Sequence, residues 1–67
     1  MDTIRCEIIR EIYMNNDFHI YAAKFNNSFE ELSVKTDGFE LCQGQKTLTG
    51  VMGTYQGQKS FICKYKL

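Results

Sequence analysis

Apolar and polar residues alternate along most of this chain, in runs broken by Asn, Asp and Gly. A period of two marks a strand with one buried face. The first run, Thr3 to Met14, places Ile4, Cys6, Ile8, Ile12 and Met14 on one parity, with Arg10 interrupting the series and Ile9 on the other side. Ile4, Ile8 and Ile12 also match a helical spacing. The run is nonetheless rich in β-branched residues, leads into the hairpin-like turn Asn15-Asn16-Asp17 and carries no helix stop, so it is read as a strand. The Ile8-Ile9 doubling predicts a bulge or bend between Ile9 and Glu11, a device that lets one long strand serve both halves of a small barrel.

The second strand is Phe18 to Phe25, with Phe18, Ile20 and Ala22 on one face and His19, Tyr21, Ala23 and Phe25 on the other. After the turn Asn26-Asn27-Ser28, Ser28 to Glu31 matches a capping box and permits one helical turn. Leu32 to Thr36 is a third strand with Leu32 and Val34 inward, ended by Asp37-Gly38. Phe39 to Gln45 is too short for a full helix, and a single turn carrying Phe39 and Leu41 onto the core is expected. Lys46 to Tyr55 is the fourth strand, anchored by Leu48 and Met52; Gly50 and Gly53 within it signal bends or close backbone approach. Gln56-Gly57-Gln58 turns the chain into a fifth strand, Lys59 to Tyr65, with Phe61, Cys63 and Tyr65 on one face. Short strands joined by short turns point to closure, which removes aggregation-prone edges. The expected fold is all-β: a small five-stranded antiparallel barrel of the OB type, a single domain over residues 1–67, with at most one short helical turn.

Composition narrows the function. A chain of 67 residues is one domain with a thin core and little apolar material left for a deep substrate pocket. Its 43% hydrophobic content excludes intrinsic disorder. No run is long enough for a membrane helix, and Met1 to Met14 lacks the apolar stretch of a signal peptide, so a cytoplasmic setting is expected. Cys6, Cys42 and Cys63 are odd in number and widely spaced, as expected of buried reduced thiols; a zinc site made of these three and His19 is disfavoured. Asn26-Asn27-Ser28 matches a glycosylation sequon that has no meaning in the cytosol. The net charge is zero, but residues 1–40 hold eight acidic and four basic residues, a balance of −4. Residues 41–67 hold Lys46, Lys59, Lys64 and Lys66 and no acid, a balance of +4. If that segregation persists in space, one side of the domain attracts phosphates or an acidic partner.

The residues also carry a resemblance. The opening Cys6-Glu7-Ile8-Ile9-Arg10-Glu11-Ile12-Tyr13-Met14-Asn15-Asn16-Asp17-Phe18-His19-Ile20, then Leu48-Thr49-Gly50, then Tyr55-Gln56-Gly57-Gln58-Lys59-Ser60-Phe61, resemble the N-terminal OB domain of bacterial RecD-like DNA helicases of the YrrC type. The family has Gly at the position of Cys6, Gly before the aromatic at Phe18, Trp at Met52, and a differently spaced last turn. The helicase motor is absent: no phosphate loop exists, and Gly44-Gln45-Lys46-Thr47 lacks the required glycine spacing. The resemblance implies either a piece of a larger helicase or a stand-alone relative that kept the barrel.

Catalysis is disfavoured. His19 has no partner marking a triad, Glu30-Glu31 reads as a solvated turn, and only proximity links Cys42 to Lys46. No cofactor, metal or small-molecule substrate is expected. OB barrels bind across strands two and three, between the loop joining strands one and two and the loop joining strands four and five. Aromatic rings stack on bases there while lysines follow the backbone. The candidate nucleic-acid-binding residues are Asn15, Asn16, Tyr55, Gln58 and Lys59 in the loops, with His19, Tyr21 and Lys35 facing outward from the strands and Tyr21 as the stacking platform. The expected partner is single-stranded DNA, bound weakly because a neutral domain makes few phosphate contacts. The alternative is a protein-interaction module with no nucleic-acid binding, either docking on a partner such as a helicase motor or acting as a phage or mobile-element regulatory protein.

Overall fold

The computed structural model describes residues 1–66. Its five strands are β1 (Asp2–Asn15), β2 (Phe18–Phe25), β3 (Glu31–Asp37), β4 (Gly44–Tyr55) and β5 (Gln58–Lys66). They close into an OB-like barrel in the order β1-β2-β3-β5-β4, with β1 pairing β4 to complete the ring. Four of the pairings are antiparallel; β3 and β5 run parallel through Ser33↔Ser60, Val34↔Phe61 and Lys35↔Ile62. The expected five-stranded OB-type barrel is the fold observed, with this one parallel seam among its antiparallel pairings. A β5 that returns from the β4 hairpin to lie beside β3 necessarily points the same way as β3.

β1 closes the barrel because it is long and bends. Asp2 to Ile8 pairs with β4, and Cys6 to Asn15 pairs with β2. The pairing with β2 slips twice, between Ile8 and Arg10 and between Glu11 and Tyr13. The first slip is the bulge expected at Ile9. Its disrupted ladder is patched by Gln43, whose side-chain amide donates to the Ile9 carbonyl at 2.7 Å. The slips change which residues face inward. Ile4, Cys6 and Ile8 keep the expected parity, but Glu11 takes the next inward place, opposite Tyr21. Ile12, expected inside, is skipped at the second slip and is exposed; Met14 keeps the inward row, opposite His19, but is exposed near the end of the strand.

The core comprises Cys6, Ile8, Tyr21, Ala23, Leu32, Val34, Leu41, Leu48, Phe61 and Cys63, with Ile4, Phe25, Phe39 and Met52 packed against it. Phe61 is the largest fully buried side chain; burial of a side chain of that size contributes roughly 1.5–3 kcal/mol. Tyr65 does not join it. A shift at Thr49/Gly50 pairs Gly50 with Cys63 and Thr49 with Tyr65, which turns Tyr65 out. Gly50 is required at that shift, since a Cβ there would lie 2.0 Å from the Ile62 carbonyl oxygen.

No helix forms among the described residues, and none is therefore long and apolar enough to cross a membrane. Ser28 accepts a hydrogen bond from the Glu30 amide at 3.2 Å and makes a local turn in place of the helical turn the capping box permitted. Leu41 reaches the core as expected, but without a helix. Gly38 and Gly44, both at positive φ, bracket a segment too short to nucleate one. Leu41 N–H donates instead to Tyr21 Oη at 2.9 Å.

Candidate functional site

Strand register places residues in rows on the outer wall. One row crosses all five strands: Tyr13, Ile20, Lys35, Ile62 and Val51, each the pairing partner of the next. Tyr13, Ile62 and Val51 are about half exposed. An outward row on a small barrel is ordinarily polar, and this one is apolar except for Lys35. The neighbouring row is Arg10, Ala22, Ser33, Ser60 and Gly53. From Ala22 to Gly53 every side chain in it is small or absent, which leaves a shallow channel beside the apolar band.

The hairpin tips flank this channel. At the β1–β2 end, Tyr13 and Phe18 meet edge to face, ring centroids 6.5 Å apart, next to Asn15 and to Asn16, whose φ is 57°. At the β4–β5 end, Gln56 and Gly57 both have positive φ and form a two-residue turn that presents Tyr55 and Gln58. Lys35 reaches toward that turn and holds its ammonium 4.9 Å from the Tyr55 ring centroid. The arrangement offers flat rings at both edges and a cation between them.

The structure thus brings Lys35, Tyr55 and Gln58 together and sets Asn15 and Asn16 at the opposite rim. It corrects two of the expected residues, Tyr21 and His19. Tyr21 is only 3% exposed: its ring lies in the core and its hydroxyl holds Leu41, so it offers no stacking face. His19 is equally buried, stacked on Tyr21 at 5.9 Å and hydrogen-bonded through Nδ1 to the Glu11 carboxylate. Both expectations assigned the wrong face of β2 to solvent. Lys59 turns away from the channel toward the β2–β3 turn, where it pairs with Glu30 at 3.2 Å and lies over Phe25. That pair joins an acid of the first forty residues to a lysine of the last twenty-seven, so the charge segregation along the chain is not kept there.

Sequence reasoning missed Tyr13, Phe18, Ile20, Val51 and Ile62. Phe18 and Ile20 were legible as a face of β2; Tyr13 follows from the second slip in β1, which nothing in the sequence marks.

The remaining chemistry is sparse. Among the described residues no three His, Cys, Asp or Glu side chains converge as metal ligands. Cys6 and Cys63 are buried and Cys42 is exposed, so the expected burial holds for two of the three. Burial, and then the neighbouring Cys63, pushes the Cys6 thiol up to about 11; burial also raises Cys63. Both are poor nucleophiles at neutral pH. Comparison of the chain with protein-family models, curated proteins and solved structures finds no match.

Proposed function

We propose that this domain is a non-catalytic binding module that takes single-stranded DNA weakly across the outer faces of β2, β3 and β5. It serves in the cytoplasm as an accessory domain of a RecD-like helicase. The observation that carries the reading is the pair of aromatic edges, Tyr13–Phe18 and Tyr55, on either side of a channel floored by small residues, with Lys35 between them. Bases stack on such rings without regard to sequence, and a lysine follows the phosphates. The few cations in the channel and the zero net charge make the binding weak and salt-sensitive. Fluorescence anisotropy with a labelled oligonucleotide at low salt tests this. Tyr55→Ala and Tyr13→Ala should each weaken binding by about 1–3 kcal/mol, the worth of one stacked base. No binding by the unaltered domain at low salt removes the reading.

A second reading draws on the apolar band itself. Val51, Ile62, Ile20 and Tyr13 suit a protein partner, such as the helicase motor, better than a polyanion. It predicts capture of the motor by the domain, lost on Ile62→Asp, with no response to oligonucleotide.

A further inference from the structure

The β1–β3 end of the channel forms a cavity of about 230 Å³. Ile12 and Ala22 provide apolar walls, and Arg10, Lys24, Glu31 and Ser33 provide polar ones. The cavity falls below the roughly 300–1,000 Å³ of sites for drug-sized ligands and is of a size for one planar ring system. It exists because the slips in β1 turn Ile12 outward, and because Ala22 and Ser33 are small where a larger side chain would fill the space.

The polar groups are disposed across it by the strand order. Arg10 stands on β1, Ala22 opposite it on β2, and Ser33 beyond on β3; Lys24 and Glu31 face each other one row along. Two strand spacings separate β1 from β3, about 10 Å. Arg10 and Glu31 therefore belong to opposite walls of the cavity, with Lys24 beside Glu31 on the strand between them. Among the described residues Glu31, Arg10 and Lys24 enter no ion pair, although opposite charges border one small space.

We infer that this cavity is a base-selective subsite that takes one guanine of the bound strand. The inference rests on the single-strand reading proposed above and adds a sequence preference to it. Guanine alone among the DNA bases presents two adjacent donors, N1–H and the N2 amine, which match the two acceptor oxygens of Glu31. Its other edge presents O6 and N7, both acceptors, which match Arg10. Adenine and cytosine place a ring acceptor beside their one amine and would set it against a carboxylate oxygen. Thymine flanks its single N–H with carbonyls. The carboxylate thus selects by repulsion as well as by attraction.

The test is anisotropy at low salt with a labelled oligothymidylate about 12 nucleotides long and the same strand carrying one central guanine, adenine, cytosine or inosine. The guanine strand should bind roughly tenfold tighter than the thymine-only, adenine and cytosine strands, as one bidentate base contact provides. Inosine, which lacks the N2 amine, should fall between guanine and adenine. In Glu31→Gln the ratio of guanine to thymine affinity should fall to about one. If that variant does not fold, the inosine strand carries the test with the unaltered domain. Equal affinity for all strands overturns the subsite and leaves the single-strand reading standing. A guanine preference that persists in Glu31→Gln, or that inosine shares in full, also overturns it. Absence of binding to any strand removes the single-strand reading, and the subsite with it.

Discussion

The two halves of β1 are built from the same residue types and do different work. From Asp2 to Ile8 the strand pairs with β4 without a slip, and Ile4, Cys6 and Ile8 point into the barrel. From Ile9 to Asn15 it slips twice against β2, and Ile12, Tyr13 and Met14 reach solvent. Regular pairing puts every second side chain inside, so the first half spends its apolar residues on the core. Each bulge inserts a residue and resets the parity. The second half thereby delivers apolar residues to the outer wall, where Tyr13 joins the aromatic rim and Ile12 the cavity. An isoleucine in this strand belongs to the core or to the outer wall according to which side of Ile9 it stands on.

Truncation separates the halves most sharply. Ile8 is 1% exposed and Ile12 is 47% exposed. Ile8→Ala should cost about 2–5 kcal/mol, a large part of the stability of a domain this small. Ile12→Ala should change stability by no more than about 0.5 kcal/mol. Urea denaturation of both variants measures the difference. Equal losses would mean that Ile12 is packed inside and that the second half of β1 is regular after all.

The same contrast explains what could be read in advance. The bounds of β2 and the turns around it are written in Asn15-Asn16-Asp17 and Asn26-Asn27-Ser28, which leave no strand-compatible alternative. The bulge at Ile9 is written in two adjacent isoleucines. The face of β2 that turns inward is not written. Phe18-Ile20-Ala22 and His19-Tyr21-Ala23 are both apolar enough for a core, and the choice follows from register with a bulged partner. The expected stacking residues failed on that point: the face holding Tyr21 and His19 is the inner one, and the solvent face carries Phe18 and Ile20. Lys59 stands on the inward parity of β5, which at the end of a closed barrel leads to the rim and to Glu30. Lys35, Tyr55 and Gln58 lie on the outer wall, each on a regular stretch or beside a turn with clear bounds.

A smaller change probes the inside of the slipped half. Opposite Glu11, Tyr21 contributes a hydroxyl that accepts from buried Leu41 N–H. Tyr21→Phe keeps the ring and removes that acceptor. The unpaired amide should cost about 1–3 kcal/mol, and amide hydrogen exchange at Leu41 should accelerate more than at the core of β5. Tyr13→Phe, on the outer wall of the same half, should leave both quantities unchanged. If Tyr21→Phe were also silent, the segment between Gly38 and Gly44 would be held by Leu41 packing alone.

The smallest effect belongs to the regular half and is driven by pH. Cys6 lies fully buried between Ile4 and Ile8, and its thiol is pushed up to about 11 from an ordinary value of 9.0. The folded state therefore favours the neutral thiol more than the unfolded chain does. Its contribution is fully present below pH 9 and is lost as pH rises from 9 through about 11. Linkage makes the loss about 1 kcal/mol at pH 10. Lysines and tyrosines titrate in the same range, so the informative quantity is the difference in slope between the unaltered domain and Cys6→Ala, followed by urea denaturation from pH 8 to pH 10. The variant should be less stable at pH 8, because it leaves a small cavity, yet its stability should decline less steeply with pH. Parallel slopes would show that Cys6 meets water as readily in the folded barrel as in the unfolded chain. Such access would break the dry interior on which the contrast between the two halves of β1 depends.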